Sequence, residues 1–388
     1  MTVWDDLVGQ EALVETLGNV VAAADRVLQG EKATGMTHAW LFTGPPGSGR
    51  STAARAFAAA LQCDRGGCGE CLSCRTSLAG SHADISALVT EQAVIGVDDA
   101  RDSVRRAALS PSGRRWQVMI VEDADRLTDR AGDALLKSVE EPPPRTVWLL
   151  CAPTAEDVLP TIRSRCRCLV LRTPPSEAIA DYLVRRHDVS SALASFTARA
   201  AQGHIGRARA LAVDEGTRNR RREVLRIPGQ LSGLGSCLNA ASNILDAATE
   251  EARPRSDTLD AKEQSDLQLA YGAGTRGVST TGHAAAAKEL QRRQRLRAKR
   301  MVRDSIDRTL LDLASYYRDV VTVQLGSGGE LVNEELRQEV DTMSRSTSGE
   351  ATTRRLRAIF ATRELLEGEI APLLALESLM ISLRGADG

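Results

Sequence analysis

Gly44-Pro45-Pro46-Gly47-Ser48-Gly49-Arg50-Ser51 is the stretch on which the fold turns. Its closely spaced glycines let the backbone curl until successive N–H groups point at one centre, which is how a chain cradles phosphate. An apolar run, Ala39-Trp40-Leu41-Phe42, precedes the loop, and an alanine-rich helical stretch, residues 50–61, follows it. Strand, glycine loop and helix in that order place the positive end of a helix behind the loop. Gly44, Gly47, Gly49, Arg50, Ser51 and Thr52 are therefore candidate nucleotide-binding residues. One position departs from the pattern: the expected lysine is Arg50. A guanidinium is planar and bulkier than an ammonium and is poorly suited to reach the β and γ oxygens. Ser51 keeps a hydroxyl that can help hold Mg²⁺.

Outward from the loop, residues 9–28 carry Leu13, Leu17, Val20, Val21 and Ala24 at helical spacing. Apolar runs at 85–89, 118–121, 147–151 and 168–171 read as buried strands with helical patterns between them, so the expected fold is α/β with a parallel sheet covered on both faces. The strand at 118–121 ends in Glu122-Asp123-Ala124-Asp125, where one carboxylate of a nucleotide hydrolase holds Mg²⁺ and the next polarises water. Here the usual Asp-Glu order is inverted. Asp123 is about one methylene short, and with Arg50 this predicts that hydrolysis is weak or lost.

Composition sets the outer limits. The chain has 388 residues, 42% apolar and 26% charged, with a net charge of −1. That is the balance of a soluble, multi-domain protein, with no apolar run of the ~20 residues a membrane span needs and no secretory signal, so a cytoplasmic location is expected. No global field draws it onto nucleic acid, and any DNA contact must be local or shared with partners. Four of its eight cysteines, Cys63, Cys68, Cys71 and Cys74, crowd into a short glycine-containing stretch. Four thiolates so spaced suit a structural, tetrahedral zinc; iron–sulfur ligation and plain packed thiols are the alternatives.

Several motifs stand together in order: Trp4-Asp5-Asp6-Leu7-Val8-Gly9-Gln10, the glycine loop, Glu122-Asp123-Ala124-Asp125-Arg126-Leu127, Ala134-Leu135-Leu136-Lys137-Ser138-Val139-Glu140-Glu141-Pro142-Pro143, and Arg163-Ser164-Arg165-Cys166. Over about the first 210 residues this series resembles the AAA+ clamp-loader subunits of bacterial DNA polymerase III, and it is nearer the delta-prime type, whose nucleotide site is degraded, than the gamma/tau motor type. The resemblance implies an AAA+ P-loop core followed by a helical lid and an all-helical collar. It also implies zinc on the cysteine knuckle at 63–74, and ATP with Mg²⁺ held, if at all, without efficient hydrolysis. Implied partners are gamma/tau motor subunits, a delta subunit, the sliding clamp and primer-template DNA. Arg165 would be an arginine finger, reaching in trans into a motor neighbour's ATP site. The first sensor looks displaced at Cys151-Ala152-Pro153-Thr154, and Gly206 stands where the family carries its second-sensor arginine. The alternative reading is an autonomous gamma/tau-like ATPase in which these departures are tolerated. Carboxylates for a polymerase centre are not evident.

The expected domains are a core over 1–173, a lid over 174–225 after the breaking pair Pro174-Pro175, and a collar over 226–388. Residues 251–283, polar and glycine-containing, read as a flexible insertion. A long helix is expected over 284–323, and a pair broken near Pro372 over 353–383. The run Arg292-Arg293-Gln294-Arg295-Leu296-Arg297-Ala298-Lys299-Arg300 reads as a solvated face in preference to a phosphate contact, because no aromatic interleaves it and Glu289, Asp304 and Asp307 offset it.

Overall fold

A computed structural model describes residues 2–90, 94–113, 115–270, 280–368 and 370–385. Two compact units divide the chain, residues 1–213 and 214–388. In the first, five strands pair in parallel: β1 (Ala39–Thr43), β2 (Ile85–Leu88), β3 (Gln117–Val121), β4 (Thr146–Ala152) and β5 (Arg167–Val170). Their spatial order is β2-β3-β4-β1-β5. β1, β3 and β4 are buried at every residue, as central strands covered on both faces must be.

Strand alternation divides the apolar residues between two layers. Trp40, Phe42, Val118, Ile120, Val147 and Leu149 face α1 (Glu11–Leu28) and α2 (Arg50–Leu61). Ala39, Leu41, Met119, Val121, Trp148 and Leu150 belong to the opposite cluster. After α2 comes α3 (Leu72–Leu78); α4 (Val97–Ala107), α5 (Asp129–Glu140) and the short α6 (Pro160–Arg163) contribute to that opposite layer. A period of two is what sends neighbours on one strand to different faces. α2 buries six alanines, which allow close approach to the sheet, and one large ring, Phe57, set edge-on to Trp40 at 5.5 Å between centroids. Helices α7 (Ser176–His187), α8 (Ser191–Ala201) and α9 (Ile205–Val213) complete the first unit around Ile179, Leu183, Ala198 and Ala208.

The second unit is helical among its described residues: α10 (Glu215–Arg226), α11 (Leu234–Ala270), α12 (Thr280–Gln324), α13 (Arg337–Ser346), α14 (Gly349–Glu367) and α15 (Pro372–Arg384). Ile306, Leu310, Leu313, Tyr317 and Val320 of α12 recur at steps of four and three and are buried. A polar anchor sits beside them: Arg221 reaches Asp312 at 3.0 Å and Asn333, while Asp319 accepts the N–H groups of Val332 and Asn333 at 3.0 and 2.7 Å.

The expectation of a flexible insertion at 251–283 is corrected up to Ala270, because α11 runs through it despite Pro254. What holds that stretch is polar. Arg297 of α12, buried, ion-pairs with Asp260 and, at 2.6 Å, with Glu263. Residues 271–279 lie outside those described. Among the described residues no helix is long and apolar enough to cross a membrane.

Candidate nucleotide site, arginine finger and metal centre

The glycine loop leaves β1, the acidic motif leaves β3, and Pro153 leaves β4 between them, so all three meet at the carboxyl ends of the parallel strands, where α/β folds place ligands. Gly47 and Gly49 take φ of +83° and +96°, a conformation closed to most side chains, and Gly49 caps the N-terminus of α2. Gly44 donates its N–H to the Pro153 carbonyl at 3.0 Å. The Ser48 hydroxyl is buried without a hydrogen-bond partner, as a group shaped for a polar ligand would be. The cradle is therefore present.

Its charged parts, however, are turned on the protein itself. Arg50 folds back and donates from Nη1 to the carbonyl of Gly44 at 2.6 Å. Glu122 receives Arg55 through Nε at 3.2 Å and Nη2 at 2.7 Å. Asp123 sits in the left-handed region at φ 57°, with Arg126 Nε 3.9 Å from its carboxylate. Burial raises the pKa of Asp125, and the Asp123 charge adds to the shift. Ser51 is half-buried and Thr52 exposed on the first turn of α2. From the other side, α9 closes on the loop: Ile205 donates its N–H to Gly47 at 3.3 Å, and the His204 ring lies so close to Gly47 that a Cβ there would overlap it. Gly206 follows directly, and Arg207 donates its N–H to His204 Nδ1 at 3.2 Å.

Arg165 lies in the turn between α6 and β5. Its Nη1 donates to the Thr161 carbonyl at 2.9 Å, and its Nε stands 3.0 Å from Glu140 Oε2 at the end of α5, an ion pair and not an aligned hydrogen bond. About a third of the side chain is exposed.

Cys63, Cys68, Cys71 and Cys74 converge with all four sulfurs within 4.8 Å of one another. Cys63 stands 3.7 Å from Cys68 and 3.8 Å from Cys71. A tetrahedron with bonds of ~2.3 Å has edges of about 3.8 Å, so these spacings fit a four-thiolate metal site. Backbone N–H groups surround it: Arg65 and Cys68 donate to Cys63 Sγ at 3.3 and 3.4 Å, and Cys74 donates to Cys71 Sγ at the start of α3. The N–H groups of Glu70 and Cys71 bring the Cys68 thiol down to about 6. Burial pushes the Cys74 thiol up. The knuckle is tied to the first residues of the chain, since Val3 donates its N–H to Gly67 at 3.0 Å.

Three partners were not singled out from the sequence: Arg55, His204 and Glu140. Two of them carried a local signal: Arg55 stands four residues after Ser51 on the same face of α2, and His204 stands two residues before Gly206.

A parallel sheet with a phosphate-cradling glycine loop and an acidic strand end at its carboxyl edge is the arrangement of a P-loop nucleotide-binding domain, and the chain is similar to known clamp-loader proteins. Residues 22–175 match the family model described as DNA polymerase III, delta subunit. The chain is 29% identical to the DNA polymerase III subunit gamma/tau of Mycobacterium tuberculosis over 356 residues, covering 83% of this chain and 57% of that protein. It is 38% identical to subunit delta' of Pseudomonas aeruginosa over 154 residues, 38% of this chain and 47% of that protein. It is 34% identical to subunit delta' of Escherichia coli over 180 residues, 45% of this chain and 54% of that protein. The chain thus spans about half the length of these relatives.

Proposed function

We propose that the chain is a delta-prime-type subunit of a DNA polymerase III clamp loader, working in the cytoplasm as a structural AAA+ member with a silent nucleotide site. One observation carries the reading: the Arg50 guanidinium is spent on the Gly44 carbonyl of its own loop. An ammonium in that place would face the β and γ phosphates. The Arg55–Glu122 pair occupies a carboxylate that Mg²⁺ would need, and His204 and Ile205 hold α9 on the loop. A subunit of this kind acts through its neighbours. Arg165 then serves in trans, stabilising charge on the phosphoryl group transferred in a gamma/tau motor's site, while the delta subunit, sliding clamp and primer-template DNA are engaged through the assembly. Zinc on Cys63, Cys68, Cys71 and Cys74 is structural, with no open coordination position.

The test is binding and steady-state hydrolysis of ATP by the purified chain. Turnover is expected to be negligible, and Arg50→Lys alone is expected not to restore it, because Glu122 stays paired with Arg55 and Asp123 stays one methylene short. Brisk hydrolysis by the wild type, abolished by Ser51→Ala, would instead make the chain an autonomous gamma/tau-like motor. That second reading is favoured by one observation, the length of the match to a gamma/tau subunit.

A further inference from the structure

Helix α12 uses one face for two purposes. In its C-terminal half, Ile306, Leu310, Leu313 and Tyr317 are buried within the core that includes α14 and α15. The same steps of four, three and four carried back along the helix fall on Lys288, Arg292, Arg295 and Lys299. At about 100° per residue these four side chains lie within ~60° of one another around the axis and extend along about 17 Å. All four are exposed. Arg297 points to the opposite side, where it is buried against Asp260 and Glu263 of α11.

The acids that seemed to offset this run stand elsewhere. Asp307 is bound to Arg363 at 2.6 Å, and Asp304 is placed opposite the four cations, with Arg300 Nε at 4.0 Å. Glu289 alone of the three reaches the stripe, through Arg292 at 2.6 Å. Between residues 284 and 303 there are eight arginines and lysines against that one acid, in a chain whose net charge is −1. Arg297 is neutralised by Asp260 and Glu263 and Arg292 shares Glu289, so the uncompensated charge of this stretch rests on its exposed face, Lys288, Arg295 and Lys299 above all.

We propose that the stripe is a sequence-indifferent contact for the phosphate backbone of duplex DNA. A row of cations ~17 Å long on a helix can lie along several phosphates of a strand, which advance ~3.4 Å along the duplex axis per nucleotide. Single strands are bound by adding aromatic platforms on which bases stack, and residues 284–303 contain no aromatic side chain, so the duplex is the form this face fits. The contact requires neither nucleotide nor partner subunits, so it stands or falls apart from the reading of the nucleotide site.

The experiment measures fluorescence anisotropy of a short fluorescein-labelled blunt duplex titrated with the full chain, over a range of salt concentrations. Binding is expected to be weak, with Kd of ~10⁻⁴–10⁻⁶ M near physiological salt and a log–log salt slope of about −3, from three to four phosphate contacts at ~0.9 each. The variant Lys288→Gln, Arg292→Gln, Arg295→Gln, Lys299→Gln should lose at least about tenfold in affinity and most of the slope. A control with Arg345→Gln and Arg354→Gln, exposed elsewhere in the second unit, should keep both. Circular dichroism checks that the helices persist; if the fourfold variant does not fold, the Lys288→Gln, Lys299→Gln pair replaces it and should remove about half the slope. Three results would overturn the proposal: no duplex binding at low salt, binding unchanged in the stripe variants, or tighter binding of single strands or polyglutamate than of duplex. The polyglutamate result would point to an acidic protein partner.

Discussion

Replacing Arg165 by alanine separates what that side chain does for its own fold from what the proposed trans role would have it do for a neighbour. Within its own chain it forms a hydrogen bond to Thr161 and an ion pair to Glu140, whose side chain is half exposed. An ion pair that wet contributes ~0.2–1 kcal/mol and the Thr161 hydrogen bond ~0.5–1.5 kcal/mol, so Arg165→Ala should lower the melting temperature of the isolated chain by no more than ~10 °C. An arginine finger in a neighbour's ATP site is worth ~10³-fold or more in rate, and the proposed role assigns Arg165 that contribution. The assay is DNA-stimulated hydrolysis and clamp loading by the reconstituted complex. Total hydrolysis should fall by the share of the one interface that Arg165 serves, and loading should fall further because it needs every step. Glu140→Gln supplies a second reading: releasing a pair worth at most ~1 kcal/mol should raise the rate at that interface by no more than about fivefold. If Arg165→Ala assembles normally, hydrolyses and loads at the wild-type rate, the trans-acting role is wrong.

Metal analysis should find one zinc per chain, and stripping it with a chelator, or substituting Cys71→Ser, should lower the melting temperature of the first unit, because Cys63 and Cys74 belong to its main core; recovery of metal-free protein of unchanged stability would count against this. Gly67→Ala should cost about 1–3 kcal/mol in a denaturant titration, since its φ is +101° and the new Cβ would stand 2.7 Å from Val3. Burial opposes ionisation of Asp84, but the Ser112 hydroxyl and N–H and the Gly113 N–H outweigh it and lower its pKa. Its stabilisation is therefore present above the unfolded carboxylate value of ~3.9 and is lost as pH falls through the lower folded value, so acid unfolding profiles of Asp84→Asn should be flatter than wild type below about pH 4.

The parallel sheet was legible because each of its strands is a short apolar run bounded by turn residues, and the glycine loop fixed where a ligand would lie. The long helix ending near Val323 was legible for a similar reason, its apolar spacing being unbroken from Ile306 to Val320. Residues 251–270 were misread because helices are usually recognised by an apolar stripe, and this stretch is held by ion pairs whose partners lie 34 and 37 residues further along the chain. The self-pairing of the site was hidden for the same cause. Arg55 and Glu122 are 67 residues apart, and nothing local tells that one will occupy the other. His204 could be seen as a neighbour of the second sensor, but not as a ring resting on Gly47.

The shared frame of α12 also limits how the α11–α12 pair can change length. Its charged face and its buried face are phased together, so removing seven residues from the exposed half turns one against the other by only ~20°, while removing five turns it by about 140°. α11 must shorten in step, or Arg297 loses Asp260 and Glu263. Lineages that trim or extend this pair should therefore do so in sevens, with paired deletions on both helices, leaving a ladder of lengths and few intermediates.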